Sequence, residues 1–170
     1  MSIFNKIKKN AIANPNKTAL VIGDTKLTYK ELVLEVESVS RYFIKLKIKP
    51  YERVGLVVNN TLEFVLIFLA ISDIGAQIIP LNTSYTHKMI YENFLELKIK
   101  HLFIWHNYLG YSNFKKMSLK NIVALGKKIK NFKFFNEYTN YKDNIKNTKS
   151  ITSNLNKEFV ITLTSGSTSK

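Results

Sequence analysis

Two hydrophobic periods alternate along this chain. From Leu32 the apolar positions recur at Val36, Val39, Phe43 and Leu46. Steps of four and three lay one stripe along a helix. Thr28 stands just before the stripe and Glu31 three residues later. That pairing predicts a capping box, worth about 1 kcal/mol. Upstream, residues 18–22 and 26–28 flank Gly23-Asp24, which predicts a hairpin with a two-residue turn. Residues 54–58 are a short apolar run with β-branched members and predict a buried strand. Asn60 and Glu63 repeat the cap-plus-three spacing ahead of 64–74. That stretch is apolar nearly all round, so the helix it predicts should be deeply buried, with Gly75 as its stop.

The pattern continues with a strand over 77–81 that carries Pro80 near its end. A helix over 86–97 has Ile90, Phe94 and Leu97 on one face, and strands follow at 102–105 and 121–125. A Lys-rich helix is expected over 127–138, a polar surface loop over 140–156 and a last strand over 159–163. Strand and helix alternate at short intervals, without an internal repeat. The expected fold class is therefore α/β, a mostly parallel sheet with helices on both faces. At the N-terminus, Ile3, Phe4 and Ile7 can form one face of a short helix. A helix docked on the domain is expected, with an interfacial anchor as the alternative.

Composition narrows the classes. The chain has 170 residues, a one-domain length, and its 45% hydrophobic and 22% charged residues are ordinary for a globular protein, so disorder is not the default reading. There is no cysteine, which excludes disulfides, thiolate nucleophiles and Cys-ligated metals. The longest apolar run, Phe64 to Ile71, is far too short to span a bilayer. The first ten residues lack the apolar core of a signal peptide. No transmembrane segment is expected, and the cytoplasm is the expected location.

A net charge of +14 raises the question of a polyanion partner. Yet only Arg41 and Arg53 among the 26 basic residues are arginine. Readers of nucleic acid usually rely on arginine forks. Lys, Asn and Ile are all abundant and share A/T-dominated codons, so base composition accounts for the charge. No nucleic acid is expected. His87, His101 and His106 lack the close spacing of metal ligands. His87 is assigned to a helix surface, and Asp73 and Glu63 to the solvated ends of the apolar helix. Most of the nine Tyr and eleven Phe are assigned to a core.

Candidate chemistry lies at the end of the chain. The apolar strand ending at Leu163 runs into Thr164, Ser165, Gly166, Ser167 and Thr168. Such a loop offers backbone N–H and hydroxyl donors, and Gly166 permits close approach, which is what a polyphosphate needs. It is not a Walker A loop, because the Gly-x-x-x-x-Gly-Lys-Ser/Thr pattern is absent.

Three blocks, in order, resemble the adenylate-forming (AMP-binding) superfamily of acyl-CoA synthetases, luciferases and peptide-synthetase adenylation domains. Leu27-Thr28-Tyr29-Lys30-Glu31-Leu32 resembles its early Leu-Thr-Tyr-x-Glu-Leu motif. Residues 69–76 followed by Ile79-Pro80-Leu81-Asn82 resemble its Leu-Lys-Ala-Gly…Val-Pro-Leu block. Thr164 to Thr168 resembles its phosphate-binding signature. The likeness runs from about Asn14 to Lys170 and thins between Tyr108 and Asn156. Leu81-Asn82 leans towards acyl-CoA synthetases, and with them towards fatty acid metabolism.

The resemblance implies an acid–thiol ligase. A carboxylic acid attacks the α-phosphate of ATP to give an acyl-adenylate and pyrophosphate. Coenzyme A or a carrier-protein thiol then takes the acyl group. ATP and magnesium are implied, with the magnesium site outside this chain. Thr164, Ser165, Gly166, Ser167 and Thr168 are the implied ATP-phosphate-binding residues. No catalytic residue and no metal ligand is assigned. Ser169 stands where the family carries Gly, and Lys170 falls on a variable position rather than on the signature lysine. The expectation is that residues 1–170 form the N-terminal part of an AMP-binding domain, ending within the phosphate loop and inactive alone. An interrupted reading frame or a cut in a longer synthetase is the expected reason. The alternatives are a non-catalytic or split-subunit nucleotide-binding module and a basic nucleic-acid-binding α/β domain.

Overall fold

In the computed structural model, residues 2–108, 118–142 and 159–162 are described. Helix α1 (Ile3–Ala13) starts at Ser2, whose hydroxyl accepts from the Asn5 N–H at 3.1 Å. Phe4 is fully buried and Ile7 packs against the core, so the helix is docked on the domain, but Ile3 of the expected face is exposed. Strands β1 (Thr18–Ile22) and β2 (Thr25–Thr28) form the expected antiparallel hairpin. Gly23 takes the turn at φ +55°, a conformation only glycine adopts without strain.

Helix α2 (Tyr29–Lys45) opens on the expected capping box. The Glu31 N–H donates to the Thr28 hydroxyl at 3.3 Å, and the Thr28 N–H donates to the Glu31 carboxylate at 2.8 Å. All five residues of its stripe are buried.

Strand β3 (Arg53–Val57), helix α3 (Leu62–Ile74) and strand β4 (Gln77–Pro80) follow, with Gly75 closing α3 at φ +74°. Thr61, not Asn60, is the N-cap of α3. The Thr61 N–H turns back to the Asn59 carbonyl at 2.8 Å, and this tight turn delays the helix by one residue. Asp73 is not at a solvated end either. It is largely buried and receives the Lys8 ammonium of α1 at 3.4 Å.

Helix α4 (His87–Glu96) carries a partly buried His87 in its first turn, capped by Thr86. Strands β5 (His101–Trp105) and β6 (Asn121–Leu125) complete the predicted set. The expected helix over 127–138 does not form. Asn131 sits at φ +70°, outside helical space. Lys133–Phe134 instead pair with β6 as a short strand, β7, and Phe135–Tyr141 make a 3-10 turn. Phe135 is fully buried there, edge-on to Phe103 at 6.3 Å. Burial of that ring overrides the helix preference of the lysines.

The sheet is parallel throughout, in the order β4-β3-β5-β6-β7. Side chains alternate between its faces. Val54, Leu56, Ile78, Phe103 and Val123 pack under α1, α2 and α3. Val57, Ile79, Leu102, Ile104 and Ala124 pack with Ile90 and Phe94 of α4 on the other face. Helices on both faces and parallel pairing are what the alternation predicted. Gly55, at the centre of β3, lets α4 close in: a Cβ there would lie 2.8 Å from the Phe94 ring. Of the last expected strand, Val160 forms a parallel bridge to Ile78 of β4, and Leu163 lies outside the described residues. The same is true of most of the loop expected over 140–156.

Candidate functional site

In an open parallel sheet the strand register sends all carboxyl ends to one edge, and ligands bind beyond that edge. Here the carboxyl edge is formed by the ends of β3 and β4 and by the turns that leave them. Two asparagines follow β3, Asn59 and Asn60, and both are exposed. Asn82 and Thr83 follow β4. Together with Phe64 and Leu81 they line an open cleft of about 660 Å³.

Side-chain amides shape these turns. The Thr83 hydroxyl donates to Asn59 Oδ1 at 3.0 Å and ties the two turns together. Asn82 Oδ1 accepts from the Ser84 N–H at 2.8 Å, the local bond for which asparagine is favoured in turns. The Tyr108 hydroxyl reaches across to the Thr83 carbonyl at 3.1 Å. Thr61 Oγ1, at the start of α3, is buried without a hydrogen-bond partner. The cleft is thus lined by neutral donors and acceptors over an apolar floor. It can hold a polar ligand by hydrogen bonds, and among the described residues its lining carries no charge.

The segment 159–162 joins this edge. Ile78 donates its N–H to the Phe159 carbonyl at 2.9 Å, and Ile161 donates to the Ile78 carbonyl at 3.0 Å. These bonds fix a parallel register in which Thr162 stands level with Pro80. The chain therefore travels towards the carboxyl edge as it approaches residue 163. Phe159 is held from below by Phe68 of α3, ring edge to face at 4.9 Å. The residues picked for phosphate, Thr164, Ser165, Gly166, Ser167 and Thr168, lie outside the described residues.

Among the described residues no three His, Asp or Glu side chains converge in a way that could hold a metal ion. The described residues therefore do not fit magnesium. Also among them, no helix is long and apolar enough to cross a membrane. His101 is fully buried in the sheet, and His106 sits beyond β5 with Nδ1 3.2 Å from the Leu125 carbonyl. No sequence motif marks Asn59 or Thr83, and Asn82 stands out only as the last residue of the Ile79-Pro80-Leu81-Asn82 block. The available signal was position: each follows an apolar strand in a parallel fold.

A family model described as "AMP-binding enzyme" matches residues 7–170, and the chain belongs to that family. It is 30% identical over 79 residues to 2-succinylbenzoate–CoA ligase from Bacillus thuringiensis, 46% of this chain and 16% of that one. It is 31% identical over 83 residues to tyrocidine synthase 3 of Brevibacillus parabrevis, 48% of this chain and 1% of that one. Its fold matches a crystal structure of a long-chain-fatty-acid-CoA ligase from Archaeoglobus fulgidus with a TM-score of 0.82. That match has 16% identity and covers 99% of this chain but 35% of the other. The chain thus spans about a third of that ligase's length. CoA ligases and a peptide synthetase both stand among the relatives, so the leaning towards fatty acids finds no particular support.

Proposed function

We propose that this chain supplies the N-terminal part of an ATP-dependent carboxylate-activating ligase. In that reading a carboxylic acid is adenylated and passed to coenzyme A or a carrier-protein thiol, in the cytoplasm. The observation that carries the reading is the parallel segment 159–162, which runs beside β4 towards the carboxyl edge with Thr164 to Thr168 next in sequence. ATP supplies the activated phosphate. The chain's own contribution is positional and electrostatic: backbone N–H groups and the hydroxyls of Thr164, Ser165, Ser167 and Thr168 would hold the polyphosphate oxygens. Gly166 would let the backbone approach them. The asparagine-lined cleft would border the same ligand.

Catalysis by positioning needs every group in place, and the chain covers about a third of a solved ligase. The 170-residue chain is therefore expected to catalyse no carboxylate-dependent ATP–pyrophosphate exchange; exchange above background would refute that part of the reading. ATP binding is the second measurement. Weak binding, seen as amide shifts in NMR, should be lost in Gly166→Val with the fold unchanged, because a branched side chain keeps the backbone off the phosphates. Equal binding by the variant and the parent would remove the loop from the site.

A further inference from the structure

The opposite, amino edge of the sheet holds a buried polar bridge that the proposed function does not use. His101 opens β5 and is fully buried; Asn121 opens β6 and is nearly so. His101 Nε2 lies 2.9 Å from Glu52 Oε2, and His101 Nδ1 lies 2.8 Å from Asn121 Nδ2. Asn121 Nδ2 also donates to the Leu46 carbonyl at 2.9 Å, and Lys133 of β7 donates to Asn121 Oδ1. Glu52 further accepts from the Lys120 ammonium and, at 3.0 Å, from the Lys49 N–H.

Obligate donors and acceptors set every proton in this bridge. A lysine ammonium only donates, so the Asn121 oxygen must face Lys133. A carbonyl only accepts, so the Asn121 nitrogen must face Leu46. The amide cannot flip without breaking both bonds. It therefore presents N–H to His101 Nδ1, which must be the unprotonated nitrogen. The single ring proton is on Nε2 and goes to Glu52, which has only acceptors when ionised.

We propose that the His101–Asn121 pair is an acid-sensitive latch: neutral His101 locks the amino edge of the sheet, and a second ring proton unlocks it. That proton would point at the Asn121 N–H₂. Relief requires Asn121 to turn away, which strips Leu46 and Lys133 of their partners and frees β6 and β7 from the turn before β3. The charged groups acting on the ring are Glu52 from that turn, Lys120 ahead of β6 and Lys133 on β7. Burial pushes the His101 pKa down and outweighs the pull of Glu52, while Lys120 and Lys133 push the same way as burial.

The test is NMR of the full 170-residue chain with ¹⁵N-labelled histidine. His101 should show one N–H, on Nε2, at neutral pH. It should stay neutral below the ordinary histidine value of about 6.5. The urea midpoint should fall as the pH drops below that ordinary value. Asn121→Asp replaces the donor with an acceptor of the same shape. His101 should then titrate more than about one unit higher than in the parent, near or above the ordinary value. Two results would overturn the latch: a parent His101 that carries its proton on Nδ1 or titrates at the ordinary value, or an Asn121→Asp chain whose His101 titrates as in the parent. If that variant does not fold, the parent titration decides alone.

Discussion

The two ends of the parallel strands differ in how their polar groups are used. At the amino edge, both ring nitrogens of His101 and both ends of the Asn121 amide are engaged, and both side chains are buried. At the carboxyl edge, Asn59 and Asn82 are exposed beside a cleft of about 660 Å³, and Thr61 Oγ1 is buried without a partner. A saturated polar bridge has nothing left to offer a ligand and serves to hold the strands in register. An unsaturated edge costs stability and leaves donors and acceptors available. In this sheet the saturated and the unsaturated polar groups sit at opposite edges.

Four substitutions and one pH series probe the contrast. The largest loss should come from the middle of β3, which both edges share. Gly55→Val places carbon 2.8 to 3.2 Å from Phe94 and Ile99. Overpacking of this kind costs about 1–3 kcal/mol or more. Urea unfolding should show a fall near the top of that range, because the atoms met belong to a buried ring.

Next is Asn121→Leu, similar in volume but without polar atoms. It leaves the Leu46 carbonyl and His101 Nδ1 unpaired, and about 2 kcal/mol should be lost. A loss under ~0.5 kcal/mol would mean that the amino edge is not a structural bridge.

The pH series follows from Glu52. Its hydrogen bonds from Lys120, His101 and the Lys49 N–H outweigh burial and hold its pKa down at about 2. A carboxyl group whose folded pKa is depressed stabilises the fold above its unfolded value, and that contribution is lost as pH falls through the folded value. His101, also depressed, acts in the same direction at higher pH, since its neutral form is the one that fits. Stability should therefore decline in two acid steps, the first below about pH 6.5 and the second from about 4.5 towards 2. In Glu52→Gln the second step should shrink, and stability at neutral pH should fall by about 1–2 kcal/mol.

Local chemistry made most of the fold legible. Thr28 and Glu31 named their cap, Gly75 its stop, and the stripe from Leu32 to Leu46 its buried face, because each is written in residues a few positions apart. The expected helix over 127–138 failed for a non-local reason. Phe135 packs against Phe103, 32 positions away, and no count of lysines reports that contact. The polar bridge was equally hidden. His101, Glu52 and Asn121 are scattered in sequence, and only strand order brings them together. Gly55 lies inside the expected strand 54–58, and only the packing of α4 against it accounts for the missing side chain. At the carboxyl edge, Asn59 and Thr83 gain meaning only once the direction of every strand is known, and the residues picked for phosphate, Thr164 to Thr168, lie outside the described residues.

The smallest effect is the sharpest probe of the open edge. Asn59→Ala removes the acceptor of the Thr83 hydroxyl. Asn59 is exposed, and Thr83 can turn its hydroxyl to water, so neither group is left buried and unpaired. An exposed hydrogen bond of this kind contributes little, and the urea midpoint should shift by less than ~0.5 kcal/mol. If the cleft borders the ATP site, the same change should weaken ATP binding to the chain while leaving stability nearly untouched. Asn121→Leu should do the reverse in a sample held well below its unfolding midpoint: stability falls and binding persists. A stability loss at Asn59 as large as that at Asn121 would erase the difference between the edges. It would make the carboxyl-edge asparagines part of the scaffold rather than part of a site.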